Sequence, residues 1–261
     1  MSEASSIEYL SPVRETEFPE NWYELADASH FWMQWRLGVT LRLLDRLAVP
    51  RDRELRALDI GCGAGLFRQQ VEGTTKWIVD ATDLNLPALR MARAARGRTF
   101  YYDVTREEPS LVGRYDVCFL FDVIEHVPDE RALLSSALRH LRPGGHLLVN
   151  VPTLQSLFSA YDVAAGHLRR YTRSRLAAAF AGLPAELRAV QYWGFTLVPL
   201  AAARRVRVGQ TPTPDTIRVG FQPPSRAVNS ALTALSRLEA KLLERPPLGT
   251  SVLAAVRRPE R

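Results

Sequence analysis

The stretch Leu58–Gly65, LDIGCGAG, places Gly61, Gly63 and Gly65 at alternate positions directly after an apolar run. Glycine permits both a sharp left-handed turn and close approach of a ligand to the backbone, so the loop reads as a cradle. Carboxylates recur around it. Asp59 lies in the run itself, Asp83 follows KWIVDAT and Asp103 follows TFYY, each at the end of an apolar segment. A carboxylate so placed can accept hydrogen bonds from ligand hydroxyls or amines. Glu125 and His126 are adjacent. Two neighbouring donors alone are too few, so no metal is expected.

These residues need elements to hold them, and apolar periodicity supplies a repeating order. Leu37, Leu41, Leu44 and Ala48 recur at helical spacing and predict an amphipathic N-terminal helix. LRALDI predicts a short buried strand ending at the glycine loop, followed by a helix through Val71. KWIVDATDL predicts a second strand, PALRMARAARG a helix stopped by Gly97, and TFYYDV a third strand. YDVCFLFDV predicts a fourth, apolar enough for the centre of a sheet. Asp129 can cap a helix with Leu133, Leu134, Ala137, Leu138 and Leu141 on its apolar face, and RPGGHLLVNVP predicts a turn and a fifth strand. Strands alternating with helices imply a parallel, doubly wound α/β sheet covered on both faces. Such sheets bind ligands outside the carboxyl ends of their strands, where the glycine loop falls.

Two nucleotide-type ligands compete for a loop in that place. The dinucleotide fingerprint G-x-G-x-x-G needs a third glycine to pack helix on strand; counted from Gly61, that position is Leu66. The spacing present, Asp59-x-Gly61-x-Gly63-x-Gly65, resembles the first motif of class I S-adenosylmethionine-dependent methyltransferases. FDVIEHVPD (Phe121–Asp129) and LRPGGHLLVNVPT resemble the family's motifs at the end of the fourth strand and along the fifth. With Asp83 and Asp103 they keep the family's order over residues 55–153. HFWMQWR, GHLRRYTRSRL and GTSVLAAVRR are similar to flanking segments of small-molecule members of the broad "type 11" kind.

The resemblance implies a doubly wound, mostly parallel seven-stranded α/β sheet with an antiparallel last strand. A helical N-terminal lid (1–54) precedes the cofactor-binding core (55–196), and a helical insertion (197–248) precedes the last strand and tail (249–261). S-adenosylmethionine would contact Asp59, Gly61, Cys62, Gly63 and Gly65. Asp83 and Leu84 would meet its ribose, Asp103 and Val104 its adenine, and Phe121, Asp122 and Val123 would stand beside the methyl donor. Arg36 would meet the cofactor carboxylate or lie on the surface. His126 would act near the methyl group or only orient its loop. His167, with Arg170 and Tyr171, would line the acceptor pocket. His30, Phe31, Trp32 and Trp35 would form a lid over the pocket or pack as ordinary core. The sulfonium methyl is already activated, so the protein mainly aligns the reactants and excludes water, adding a base where a hydroxyl or amine must be unmasked.

Composition narrows the partners. The net charge of +6 rests on 34 basic residues, of which only Lys76 and Lys241 are lysine. The scattered arginines form no phosphate track with interleaved aromatics, so nucleic acid is not expected. The Asp/Asn-Pro-Pro-aromatic motif of base-amine methyltransferases is absent after the fourth strand, leaving a small-molecule or lipid acceptor; the resemblance implies oxygen as the commonest acceptor atom, with carbon and nitrogen open. The first residues carry five glutamates and no apolar core, no stretch is long enough to cross a bilayer, and Cys62 and Cys118 read as reduced. The expectation is a cytoplasmic enzyme. In the insertion, Val228, Leu232, Leu235, Leu238 and Leu242 predict a helical stripe near Arg204, Arg205, Arg207, Arg237 and Lys241. That stripe would pack over the acceptor pocket, form a homodimer contact, or dock peripherally on an anionic membrane. Two alternatives stand beside methyl transfer: a non-catalytic cofactor-binding protein of the same fold and an NAD-linked oxidoreductase.

Overall fold

The computed structural model describes residues 6–14, 28–92, 94–209, 212–213, 215–220 and 224–260. Its strands are β1 (Ile7–Tyr9), β2 (Arg56–Ile60), β3 (Ile78–Asp83), β4 (Thr99–Tyr101), β5 (Tyr115–Phe121), β6 (Leu141–Pro152), β7 (Glu186–Trp193) and β8 (Ser251–Arg257). They form one sheet in the order β1-β4-β3-β2-β5-β6-β8-β7. All pairings are parallel except those of β8, which runs antiparallel to both β6 and β7. The sheet has eight strands where seven were expected. The addition is β1, whose Ile7 pairs with Thr99 at the edge of the sheet. A three-residue, half-exposed strand carries too little apolar pattern to announce itself.

Alternation of side chains places one core on each face of the sheet. Leu58, Ile60, Cys118 and Leu120 enter one cluster, which Leu134 and Leu138 cover. Ala57, Val117 and Phe119 enter the other, covered by Leu43, Leu44 and Val71. β5 is buried along nearly its whole length, as a central parallel strand must be. Each fully buried Leu or Phe there contributes on the order of 1.5–3 kcal/mol.

The helices are α1 (Phe31–Arg46), α2 (Leu66–Thr74), α3 (Leu86–Met91), α4 (Glu130–His140), α5 (Ala160–Ala164), α6 (Arg173–Ala179), α7 (Val198–Val208), α8 (Thr216–Gly220) and α9 (Arg226–Leu242). Asp129 caps α4 by accepting from the Ala132 N–H at 2.9 Å. Leu141, expected on the apolar face of α4, instead opens β6 and pairs with Tyr115. Three further features differ. Ala48 lies beyond α1, at positive φ and exposed. The helix expected up to Gly97 stops at Met91, because Glu72 binds the N–H groups of Arg96 and Gly97 and holds the chain extended. A Cβ at Gly97 would fall 2.1 Å from the Val79 carbonyl oxygen, so the segment lies flat on β3.

The third difference concerns α9. Its buried residues are Ser236 and Glu239, while Val228, Leu238 and Leu242 of the predicted stripe are 50%, 51% and 67% exposed. Leu232 of the stripe still packs against the core, and on the same face, seven positions on, lies the buried Glu239. Its carboxylate accepts from the N–H groups of Gly194, Phe195 and Thr196 at 2.8–3.1 Å, capping the 3₁₀ turn that leads into α7. Parts of the insertion segments TPTPD and QPPS, and residues 1–5 and 15–27 of the N-terminal region, lie outside the described residues. Cys62 and Cys118 are free thiols.

Candidate active site

A cavity of about 920 Å³ opens at the carboxyl ends of β2, β3, β5 and β6. On the β2 side it is lined by Asp59, Gly61, Cys62 and Gly63, with Asp83 and Leu84 from the end of β3. Gly61, Gly63 and Gly65 all adopt positive φ. At Gly61 there is a second demand, since a Cβ would stand 2.4 Å from Val123 Cγ2. The Gly63 N–H donates to Asp83 Oδ2 at 2.6 Å and the Asn85 N–H donates to Oδ1 at 2.8 Å. Each Asp83 oxygen retains lone-pair capacity for a ligand. Burial pushes Asp83 upward, against the pull of these backbone donors. Asp59 is driven to about 6 by burial, which the charges of Arg36 and Arg68 only partly offset. Its Oδ2 finds no hydrogen-bond partner among the described residues.

The end of β5 supplies Phe121, Asp122 and Val123. Asp122 has φ of 57°, uncommon for a non-glycine residue, and Asn150 fixes it there. The Asp122 N–H donates to the Asn150 carbonyl and the Asn150 amide donates to Asp122 Oδ1. Trp193 Nε1 donates to Asn150 Oδ1, extending the buried chain to β7. Arg36 reaches down from α1, 2.8 Å from Asp122 Oδ2, with its guanidinium 4.8 Å from the Trp32 ring centroid. Its Nε is buried without a hydrogen-bond partner among the described residues. His30 caps α1 by accepting from the Trp32 N–H. Both His30 and Trp32 line the cavity, and Trp32 also stacks at 5.6 Å on Trp193.

The opposite wall carries the titratable groups. His126 and His167 both line the cavity, their rings edge to face at 4.8 Å. Burial, then the neighbouring His167, lowers His126 to about 4, so it is neutral at pH 7. His167 Nδ1 lies 2.9 Å from Asp162 Oδ1, and Arg170 grips the same carboxylate through Nε and Nη2 at 2.8 and 3.0 Å. Burial alone would raise Asp162, but the bonds from His167 and Arg170 hold it well below the usual carboxylate range. Gly166, at φ of 77°, turns the chain so that His167 folds back over α5. Glu125 is fully buried, and neither carboxylate oxygen has a partner among the described residues. Burial, reinforced by the Asp122 charge, pushes it well above the usual range. One ligand atom from each of Glu125, His126 and His167 lies within 4.8 Å of the others. Sequence separation had hidden the third donor.

Four expected site residues do not line this cavity. Asp103 stands two residues beyond β4, and its Oδ1 accepts from the N–H and hydroxyl of Thr105. Val104 is buried in the core cluster beneath the loop. Gly65 starts α2 as its left-handed cap. Tyr171 is 1% exposed and donates its hydroxyl to the Ile124 carbonyl and Glu130, away from the cavity. Asp162, Tyr161, Asn150, Arg204 and Arg207 were not anticipated as site residues. Arg204 and Arg207 were noted only as basic residues near the insertion stripe, and Asp162 left the trace of a carboxylate five positions before His167.

Residues 28–193 match the family model described as a methyltransferase domain. The ubiquinone biosynthesis O-methyltransferase of Parvibaculum lavamentivorans is 34% identical over 125 residues, covering 46% of this chain and 49% of that protein. The chain thus spans about half the length of the curated relatives it matches. Phosphoethanolamine N-methyltransferase 2 of Haemonchus contortus superposes with a TM-score of 0.54 at 20% identity, over 84% of this chain and 52% of that one. The [4+2]-cyclase SpnF superposes at 0.58 and 17% identity, over 90% and 85%. The strand order, the glycine loop with Asp83 at its side, and the family match over residues 28–193 lead to one assignment: the chain belongs to the methyltransferase-domain family, with the Rossmann-like fold of its class I members.

Proposed function

We propose that the protein transfers the methyl group of S-adenosylmethionine to a hydroxyl of a small acceptor, with His167 as the base. The observation that carries this reading is the Asp162–His167 pair, whose imidazole lines the same cavity as the glycine loop and Asp83. The cofactor, when bound, supplies an activated methyl on a sulfonium that departs as a neutral thioether. The residues present fit it. Asp83 keeps lone pairs for ribose hydroxyls, and the partnerless Asp59 Oδ2 and Arg36 Nε offer an acceptor and a donor to an amino-acid end. Asp103 and Val104 remain proposed adenine contacts from beside the cavity.

With Nδ1 bonded to Asp162, His167 presents the Nε2 lone pair to the acceptor hydroxyl. The ionised Asp162, braced by Arg170, stabilises the imidazolium once the proton has moved. A positioned base of this kind is worth ~10²–10⁴-fold in rate. Neutral His126 packs beside it without adding a repelling charge. Phe31 and Trp32 of α1 close the cofactor side against water. The name of the Parvibaculum relative supports oxygen as the acceptor atom.

The clustered donors of Glu125, His126 and His167 favour a second version of the same step. A carboxylate and two imidazoles suit a divalent ion, and Asp162 behind His167 supplies the outer carboxylate such a ligand needs. The ion would supply Lewis-acid polarisation of the hydroxyl. Turnover lost to a chelator and restored by a divalent metal supports this version; turnover indifferent to chelation leaves His167 as the base. The test of the reading as a whole is calorimetry with S-adenosylhomocysteine and NADH on one preparation, followed by methylation of simple phenols. Binding of the first alone, with ether formation, is expected. Binding of NADH alone would return the oxidoreductase reading, and S-adenosylhomocysteine binding without transfer the non-catalytic one.

The outer surface of the insertion supports contact with an anionic membrane. Leu238 and Leu242 of α9 are 51% and 67% exposed, close in the chain to Arg237 and Lys241, and the one acid of α9, Glu239, is turned inward. No helix among the described residues is long and apolar enough to cross a membrane. Co-sedimentation with anionic but not neutral vesicles is the expected result. A concentration-dependent dimer without vesicle binding would assign the same face to a second copy.

A further inference from the structure

Behind the cofactor half of the cavity runs a chain of hydrogen bonds that starts well away from any ligand. Trp193 Nε1 donates to Asn150 Oδ1 at 2.9 Å, the Asn150 amide donates to Asp122 Oδ1 at 2.9 Å, and Arg36 Nη1 donates to Asp122 Oδ2 at 2.8 Å. Asp122 and Arg36 line the cavity, whereas the buried Asn150 and Trp193 stand behind its wall. We propose that Asn150 and Trp193 are positioning residues: through Asp122 they hold Arg36 where it meets the carboxylate at the amino-acid end of the cofactor. This rests on the reading of the cavity as a methyltransferase site.

The direction of the chain is the first ground. An indole nitrogen can only donate, and a carboxylate paired with Arg36 can only accept. The Asn150 amide between them therefore has one orientation. Turned over, it would set NH₂ against N–H and oxygen against carboxylate. Asn150 holds the same neighbour a second time through the backbone, its carbonyl accepting from the Asp122 N–H at 2.8 Å. That bond supports the φ of 57° at Asp122, a conformation that persists only where its surroundings over-determine it.

The second ground is that Trp193 reaches the helix of Arg36 by a separate route. Its ring lies 5.6 Å from that of Trp32 and 5.8 Å from that of Trp35, both on α1. Trp32 and Arg36 are four positions apart and share one helix face. One indole thus seats α1 with its ring and braces the partner of Arg36 with its N–H. The third ground is what Arg36 keeps for a ligand. Its guanidinium carbon is 4.8, 5.2 and 5.5 Å from the ring centroids of Trp32, Phe67 and Phe121, and Nη2 is 3.6 Å from Met33 Sδ. So enclosed, the group has little freedom, and its buried Nε has no partner among the described residues. Asp59 and Asp122 both draw on its charge. A zwitterionic amino-acid end suits that balance, with its ammonium toward the acids and its carboxylate on Arg36.

The test uses the full chain and two probes, S-adenosylhomocysteine and 5′-methylthioadenosine, which keeps the nucleoside and the thioether but lacks the amino-acid end. One charge-assisted contact should make the wild type bind the first ~10–100-fold tighter than the second. Asn150→Leu should remove most of that preference and Trp193→Phe a smaller part, while both variants bind methylthioadenosine as the wild type does. Trp193→Phe keeps an aromatic ring and carries the test if Asn150→Leu does not fold. Tyr115→Phe, which deletes the buried hydrogen bond to Asp80 at the opposite end of β5, should keep the full preference. An unchanged preference in the Asn150 and Trp193 variants would overturn the proposal. Equal loss of affinity for both ligands would do the same, as the mark of a merely structural residue, and so would a preference lost to the same degree in Tyr115→Phe. A wild type that binds the two ligands equally would also overturn it, by taking the carboxylate away from Arg36. Failure of the wild type to bind either ligand registers separately, against the reading beneath it.

Discussion

The two halves of the cavity are built by different means. On the cofactor side, the groups sit at the ends of β2, β3 and β5, whose register is set by parallel pairing with buried neighbours on both faces. On the opposite side, the wall includes α7, which has no buried residue, and α9, whose fully buried residues are Ser236 and Glu239. A side chain at a strand end inherits the precision of the sheet. One on a surface helix is fixed only by caps such as Glu239 and by neighbours such as Tyr161. Under the proposed function, the sheet would hold the cofactor and the surface helices, least constrained by the core, would recognise the acceptor.

The comparison breaks most sharply at Gly61. Gly61→Val meets a positive φ and Val123 at once, so S-adenosylhomocysteine binding should fall below detection by calorimetry. Near-normal affinity would show that the loop tolerates movement and that the cofactor side is not rigid. Asp83→Ala removes the acceptor of the Gly63 and Asn85 N–H groups along with the proposed ribose contact. Affinity should drop ~10–100-fold with the far-UV spectrum unchanged. An unaltered dissociation constant would take Asp83 out of the site.

Asp59 sharpens the comparison through pH. Its carboxyl is raised from 3.8 to about 6 in the folded protein, so the native state holds a proton there that the unfolded chain has released. Ionising it costs stability progressively as pH rises from about 4 to about 6, and the cost is complete above that. At ~1.4 kcal/mol per tenfold change in proton affinity, Asp59→Asn should stabilise the ligand-free protein by up to ~3 kcal/mol at pH 8 and by little at pH 4. Denaturant melts at the two pH values check this. Equal effects at both would mean that Asp59 is ionised at no cost. The smallest effect is expected where the halves meet. Asn229 of α9 accepts from the Phe31 N–H and donates to the Ser29 carbonyl, tying the insertion to the lid. Asn229→Ala should weaken S-adenosylhomocysteine binding by only ~0.5–1.5 kcal/mol. A larger loss would show that the acceptor side governs the cofactor side.

The same division explains what could be read from the sequence. Gly61, Gly63, Asp83 and Asp122 each close an apolar strand run, and strand ends are marked by the pattern itself. TFYYDV looks like one strand, whereas β4 ends at Tyr101, so Asp103 and Val104 lie in the loop beyond it. Beyond it the Asp103 N–H donates to Ser11 Oγ and the chain turns. Arg170 and Tyr171 are neighbours in an extended segment bridged at Thr153 and Tyr171, so they point to opposite sides, and only Arg170 reaches the cavity. Asp162 and His167 meet because α5 ends at a left-handed glycine, which no periodicity reports. The stripe on α9 was legible, and its Val228 and Leu232 line the cavity, but nothing in the pattern announced that Glu239 on the same face would be buried by three backbone donors.

The central claim is that the two halves cooperate in one reaction, and a labelled-methyl assay addresses it most directly. Wild type and His167→Ala, each supplied with methyl-labelled S-adenosylmethionine and an extract of small molecules, would be compared for label entering a base-stable ether. Cofactor affinity of both proteins would be measured alongside. The account predicts transfer by the wild type and a ~10²–10⁴-fold slower rate in the variant, with S-adenosylhomocysteine bound equally well by both. Equal transfer by the two proteins, or tight cofactor binding with no label transferred by either, would contradict it.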